Sequence, residues 1–118
     1  NLVHPPLSMG YRFHLERKKI AYCPDTGYCK NAVLSAKGAD LLISECSFLP
    51  GEYSPEWPHL NPQLAAGIAK EAGAKELALV HFDAAKYTTM KMRKKALREA
   101  QKIFPNTIAC RDDQVIEL

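Results

Sequence analysis

The chain has 118 residues, of which 47% are hydrophobic and 25% are charged, and its formal net charge is +3. These proportions are typical of one globular domain and exclude disordered and fibrous proteins. No apolar run approaches the ~20 residues that a membrane-spanning helix needs, so we expect no membrane partner. The small positive charge is compatible with a phosphate-bearing partner but does not require one.

The four cysteines are too far apart for a C-x-x-C motif, and two of them fall in runs that are typical of buried strands. They are Cys23, Cys29, Cys46 and Cys110. Cysteine in such runs behaves as a small buried hydrophobic residue. We therefore expect free thiols rather than a disulfide framework or a cysteine zinc site, and a reducing, cytoplasmic location.

The first half of the chain predicts two strands, a helix and a third strand. Residues 10–15 alternate in the manner of a half-buried strand, and a charged turn leads to a second strand over 20–23, so the two should form an antiparallel hairpin. A short helix is predicted over 28–37, with Gly38 just past its end. The apolar run 41–43 predicts a strand that is covered on both faces.

The middle of the chain predicts a second helix and a fourth strand. Asn61 is a suitable N-cap, Pro62 suits the first helical position, and Gly73 suits the end of the helix. The apolar run 77–80 that follows has the composition of another buried strand.

A third helix and two short strands are predicted for the remainder. Thr88 or Thr89 can cap the helix, and Pro105 stops it. Short strands are predicted over 107–110 and 115–118. Helices that alternate with buried strands indicate an α/β fold.

Three of the predicted strands are followed by a polar side chain that can serve in acid–base or metal chemistry. These side chains are Asp25, Glu45 and His81, and the loop histidines His4 and His59 are further candidates. Ligands of α/β sheets collect outside the carboxyl ends of the strands, so we expect these residues to converge. Imidazole nitrogen and carboxylate oxygen are natural ligands of Zn²⁺.

Each of these residues also has a structural interpretation. A single loop histidine is often only a hydrogen-bonded surface residue, and Asp25 in Pro-Asp-Thr-Gly could simply form a turn. Glu45 could be a buried carboxylate whose hydrogen bonds are satisfied locally. Spacing alone leaves the metal site and the structural interpretation about equally supported.

Short motifs in a fixed order strengthen the metal interpretation. They are Val3-His4, Gly10-Tyr11-Arg12-Phe13, Ile20-Ala21-Tyr22-Cys23-Pro24-Asp25-Thr26, Gly38-Ala39-Asp40-Leu41-Leu42-Ile43-Ser44-Glu45, Pro58-His59-Leu60 and Leu79-Val80-His81-Phe82. Together they resemble the C-terminal half of the metallo-β-lactamase fold, in its ribonuclease Z-like and phosphodiesterase-like branch. The resemblance implies that residues 1–118 form one half of an αββα sandwich, with a mixed sheet and helices on its outer face.

The same resemblance implies roles for the five candidate residues. His4 corresponds to a histidine metal ligand, Asp25 to the aspartate that bridges two metal ions, and His81 to the last histidine ligand. His59 corresponds to the histidine that helps to protonate the leaving group, and our hypothesis for Glu45 is that it orients His59. Two Zn²⁺ ions per complete domain are implied, with Mn²⁺ as a possible substitute.

The chain also departs from the family pattern. The signature His-x-His-x-Asp-His of the first half is absent, so we expect this chain alone to be inactive without an N-terminal half. Pro24 stands where Ser or Gly is common. The link between Leu15 and Ile20 is too short for a long tRNA-binding arm, which argues against tRNA 3′-processing.

Two functions are consistent with these observations. The first is part of a binuclear metal-dependent hydrolase, a ribonuclease Z-like phosphodiesterase, with RNA or another phosphodiester as substrate. The second is a non-catalytic half-domain that acts as a binding or structural module. The expected partners are the N-terminal half of the fold and a second copy in a homodimer.

The last helix is basic, with charged residues Lys91, Arg93, Lys94, Lys95, Arg98, Glu99 and Lys102. Contact with RNA phosphates could explain such a helix, but a solvated basic surface is the preferred interpretation.

Overall fold

A computed structural model describes all 118 residues and contains one five-stranded sheet with three helices. The strands are β1 (Tyr11–Leu15), β2 (Lys18–Cys23), β3 (Leu41–Glu45), β4 (Glu76–Val80) and β5 (Thr107–Ala109), and the helices are α1 (Lys30–Ala36), α2 (Pro62–Ala72) and α3 (Met90–Gln101). The strands lie side by side in chain order. β1 and β2 are antiparallel and the other pairs are parallel, so the predicted mixed sheet and α/β class are confirmed.

The hairpin and the parallel strands have a register that places the candidate site. Leu15 pairs with Lys18 across the β1–β2 turn, which confirms the predicted hairpin. Ala21, Leu42 and Leu77 lie in one row across β2, β3 and β4. Because these three strands are parallel, their carboxyl ends lie at the same edge of the sheet.

All three helices cover one face of the sheet, where the hydrophobic core lies. Leu42, Leu77 and Leu79 point into this core and are fully buried against Ile68 of α2 and against alanines of the helices. Small alanine side chains let the helices approach the sheet closely. The helices of this chain leave the opposite face of the sheet without a covering layer.

The helix boundaries follow the predicted capping residues closely. Asn61 accepts a hydrogen bond from the Leu64 N–H at 2.8 Å, and Gly73 ends α2 with a φ of 62°, as predicted. The cap of α3 is Thr89. The first helix begins at Lys30 rather than at residue 28, since residues before its N-cap remain extended or bent.

One predicted strand is absent, and the predicted burial of another is wrong. The prediction of a strand over 115–118 is wrong, because no strand lies beside these residues and Val115 is 82% exposed. β1 is present, but it is exposed throughout rather than half-buried. The apolar side chains of Tyr11, Phe13 and Leu15 lie on the uncovered face, and the rings of Tyr11 and Phe13 stack with centroids 6.2 Å apart.

None of the helices has the length and apolar character of a membrane crossing.

Candidate active site

The carboxyl ends of β2, β3 and β4 and two loops form one open cleft of about 690 Å³. Asp25 and His81 lie just beyond β2 and β4, and His4 and His59 reach the cleft from loops. Glu45, the last residue of β3, lies beneath the cleft and is fully buried. The five candidate side chains, which are far apart in the sequence, therefore meet at one edge of the sheet.

Glu45 and His59 form a buried hydrogen-bonded pair. His59 Nδ1 lies 2.7 Å from Glu45 Oε1. The same carboxylate accepts hydrogen bonds from the N–H groups of Thr26 and Ser47, each at 2.9 Å. Three donors thus satisfy a carboxylate that would be costly to bury alone. A carboxylate can only accept, so Nδ1 of His59 carries the proton and Nε2 is its free ring nitrogen.

Asp25 and His81 form a second pair at the open side of the cleft. His81 Nδ1 lies 2.6 Å from Asp25 Oδ1, and both side chains are partly exposed. His81 has a φ of 52°, which is unusual for a residue other than glycine. Its carbonyl oxygen accepts a hydrogen bond from the Ser47 hydroxyl at 3.2 Å, which helps to hold this strained backbone.

His4 is held beside His59 by the segment that carries it. The N–H of Val3 donates to the Thr26 hydroxyl at 3.1 Å, directly after Asp25 in the sequence. The His4 ring lies 4.8 Å from the His59 ring and 5.0 Å from the Trp57 ring, measured between centroids. Its Nε2 atom is buried and has no hydrogen-bond partner. A buried polar atom of this kind indicates a missing ligand or partner.

Gly27 allows the loop that carries His59 to approach this segment. Its N–H donates to the Val3 carbonyl at 2.8 Å. A Cβ atom at this position would lie only 2.7 Å from Cβ of Pro58, the residue before His59. The absence of a side chain at Gly27 therefore allows the loop of His59 to pack against the segment of His4.

The side chains present fit part of a metal centre. His4, Asp25 and His81 offer the nitrogen and oxygen donors that Zn²⁺ prefers, and the unpartnered His4 Nε2 is suited to bind a cation. Although these side chains share a cleft, no three of them lie close enough together to hold one metal ion. A catalytic zinc ion takes about three protein ligands, so a complete zinc site here would need ligands beyond those that this chain brings together.

Sequence reasoning missed several residues that shape the cleft. Phe48 and Trp57 form aromatic walls beside His59, and Glu52 pairs with Lys86 at the rim. Partial burial opposes ionisation of Glu52, but hydrogen bonds from Lys86 and from the backbone outweigh it and lower the pKa of Glu52. The position of Trp57 two residues before His59 was the one available signal for its place in the cleft.

The two buried cysteines near the site have raised pKa values. Burial raises the pKa of Cys46 to about 12, although its contact with the Tyr87 hydroxyl works in the other direction. Burial likewise raises the pKa of Cys23 to about 12. Both remain thiols at neutral pH, and a thiol is a poor nucleophile.

Comparison with known proteins identifies relatives of this chain. Ribonuclease Z of Metallosphaera sedula is 36% identical over 100 residues, which are 85% of this chain and 33% of that protein. Ribonuclease Z of a Synechococcus strain is 41% identical over 97 residues, which are 79% of this chain and 30% of that protein. The chain thus spans about a third of the length of these relatives.

Solved structures show the same partial correspondence. The metallo-β-lactamase fold protein YhfI from Bacillus subtilis matches with a TM-score of 0.82 and 29% identity, over 93% of this chain and 44% of that one. The short form of human tRNase Z matches with a TM-score of 0.72 and 26% identity, over 98% of this chain and 40% of that one. The family described as the beta-lactamase superfamily domain matches residues 2–82. The chain therefore belongs to the metallo-β-lactamase superfamily and is homologous to ribonuclease Z over part of that protein's length.

Proposed function

We propose that this chain is the C-terminal half of a binuclear metal-dependent phosphodiesterase of the ribonuclease Z type. The observation that carries the proposal is a buried carboxylate, Glu45, that holds His59 in a cleft shared with Asp25, His81 and the unpartnered Nε2 of His4. The N-terminal half would supply the His-x-His-x-Asp-His ligands that this chain lacks, and without them the chain is inactive.

Three residues would bind two divalent cations, Zn²⁺ or Mn²⁺. His4 would serve one ion, His81 the other, and the carboxylate of Asp25 both. Bound divalent ions supply Lewis-acid chemistry, polarising a phosphoryl oxygen and making a nucleophile available at neutral pH. The partial exposure of Asp25 and His81 leaves these side chains accessible to ions and to substrate.

His59 would act as the general acid. Its Nδ1–H donates to Glu45, so the imidazolium form has only the Nε2 proton available for transfer. As the bond between phosphorus and the leaving oxygen breaks, that oxygen takes the proton from Nε2 and His59 becomes neutral. The charge of Glu45 stabilises the imidazolium before transfer and fixes the ring orientation. Glu45 is in this sense a positioning residue.

The proposed substrate is a phosphodiester other than the one at the 3′ end of a tRNA precursor. The turn between β1 and β2 contains only Glu16 and Arg17, which leaves no long arm at this position to hold a tRNA. RNA without such an arm, or a small phosphodiester, is compatible with the open cleft. A reducing, cytoplasmic location suits the four free cysteines.

A second function is favoured by the uncovered face of the sheet. Tyr11, Phe13 and Leu15 expose apolar surface there, and this chain alone forms no three-ligand metal cluster. A binding or structural module that docks a partner on this face would have both properties. In the catalytic proposal the N-terminal half covers the face, and a homodimer remains a separate prediction.

Zinc content and turnover of the complete protein distinguish the two functions. We expect about two zinc ions per complete chain and hydrolysis of bis(p-nitrophenyl) phosphate that a chelator abolishes. The 118-residue chain, assayed in parallel, should show no turnover. A complete protein that binds no metal and hydrolyses no phosphodiester would instead support the module.

A further inference from the structure

A second cleft adjoins the candidate active site on the far side of His81. It has a volume of about 230 Å³, and His81 and Phe82 line both this cleft and the larger one. Two arginines line it, Arg93 from α3 and Arg111 from the segment after β5. A group bound between these arginines would therefore lie next to the group bound at His81.

The two arginines have no acidic partners in the structure. Five side-chain ion pairs form in the chain, and neither Arg93 nor Arg111 takes part in one. Asp112 is the only carboxylate that lines this cleft. Two unpaired guanidinium groups beside a single carboxylate give the cleft an excess of positive charge.

Arg93 is also held in place before any ligand binds. Its guanidinium carbon lies 5.2 Å from the centroid of the Phe82 ring, which is a cation–π contact. A planar guanidinium can donate two parallel hydrogen bonds to a phosphate or to a carboxylate. Because the cleft adjoins the site proposed to bind a phosphodiester, a phosphate is the anion that the substrate would present there. Lys94 adds a further cation along the adjoining surface that Arg93 and Arg111 also line.

We propose that Arg93 and Arg111 form a subsite for a second phosphate group of the substrate, next to the phosphodiester that is cleaved. This inference rests on the proposed function and narrows it. The substrate class becomes phosphodiesters that carry a neighbouring phosphate, such as nucleoside 3′,5′-bisphosphate esters and short oligonucleotides. Simple phosphodiesters would lack the group that the arginines bind.

Two nucleotide probes that differ by one phosphate test the subsite in the complete protein. One is the p-nitrophenyl ester of thymidine 5′-phosphate, and the other carries an additional 3′-phosphate. The wild-type protein should have the lower KM for the probe with the 3′-phosphate. In the Arg93→Gln/Arg111→Gln variant this preference should fall about tenfold, because two charge-assisted contacts are lost.

A charge-matched variant controls for the general field of the basic helix. Lys91→Gln/Lys95→Gln removes the same charge from α3, the helix that carries Arg93, but at positions outside the cleft. It should retain the wild-type preference between the two probes. An equal loss of preference in both variants would overturn the subsite and indicate only long-range attraction. Absence of any preference in the wild-type protein would overturn it too.

A binding measurement separates failure of the subsite from failure of the proposed function. Thymidine 3′,5′-bisphosphate is titrated calorimetrically into the wild-type protein and both variants, which requires no turnover. About tenfold weaker binding to Arg93→Gln/Arg111→Gln alone supports the subsite even if neither ester is hydrolysed. Equal binding to all three proteins overturns the subsite even if the protein is an active phosphodiesterase.

Discussion

The candidate site contains two histidine–carboxylate pairs of almost the same length and very different surroundings. In the Glu45–His59 pair the atoms are 2.7 Å apart, and the side chains are 0% and 10% exposed. In the Asp25–His81 pair the atoms are 2.6 Å apart, and the side chains are 41% and 51% exposed. The two pairs share their chemistry but not their access to solvent.

The difference in burial indicates a difference in role. Glu45 also accepts two backbone hydrogen bonds, so its position is fixed and it can fix His59 in turn. Asp25 has His81 as its ion-pair partner and is open to the cleft, so its oxygens can exchange this partner for a cation. The buried pair is suited to hold a side chain in one orientation, and the exposed pair is suited to bind an ion.

The largest effect is expected from removing the carboxylate of the exposed pair. Asp25→Ala in the complete protein should reduce the zinc content from about two ions per chain to less than one and abolish phosphodiester hydrolysis, since the carboxylate would serve both ions. Metal analysis after gel filtration measures the first effect. Asp113→Asn, which changes an exposed aspartate outside both clefts, is the control. Full zinc content in Asp25→Ala would contradict the assignment of Asp25 as a ligand.

The next largest effect is expected from the histidine of the buried pair. His59→Ala should reduce the hydrolysis rate by about 10²–10⁴-fold, as for a lost general acid, while zinc content stays near that of the wild type. The loss should be smaller for an ester with a nitrophenolate leaving group, because that oxygen needs little protonation. If His59→Ala loses zinc as completely as Asp25→Ala does, His59 is a ligand and not a general acid.

A smaller effect is expected from Glu45→Gln. The amide keeps the shape of the carboxylate but places an NH₂ group among three N–H donors, so one donor loses its acceptor. The free energy of unfolding should fall by about 1–3 kcal/mol, measured in urea. The hydrolysis rate should also fall, with the same leaving-group dependence as in His59→Ala. If Glu45→Gln loses stability but its hydrolysis rate depends on the leaving group as in the wild type, the role of Glu45 is purely structural.

The sequence predicted the parts of this comparison that depend on local signals. Short apolar runs followed by Asp25, Glu45 and His81 placed these residues at strand ends, and the parallel arrangement brought them together. The capping signals of Asn61 and Gly73 were equally local and were confirmed. Such signals are readable because each depends on the residues immediately around it.

Features that depend on distant segments were not predictable in the same way. The alternation in β1 matches a half-buried strand, but its apolar side is exposed because no second layer of this chain lies against it. Val115 has no neighbouring strand either, so the strand predicted over 115–118 does not form. The contrast in burial between the two histidine pairs also depends on which loops fold over each one. Periodicity carries no information about those loops.

The smallest effect is expected from the third charged pair of the cleft, Glu52–Lys86, whose side chains are each 31% exposed. The pKa of Glu52 is lowered in the folded protein, so the ionised carboxylate stabilises the fold above the unfolded pKa of about 4.3. This contribution is lost as the pH falls through the lower, folded pKa. Glu52→Gln should therefore reduce the free energy of unfolding by at most about 1 kcal/mol at neutral pH, because solvent screens the pair. Urea unfolding of both proteins at neutral pH and at roughly pH 3 measures the difference, which should shrink in acid. A loss of unfolding free energy as large as that in Glu45→Gln would contradict this expectation. So would a loss that stays the same in acid. Either result would mean that partial exposure does not weaken an ion pair at this site.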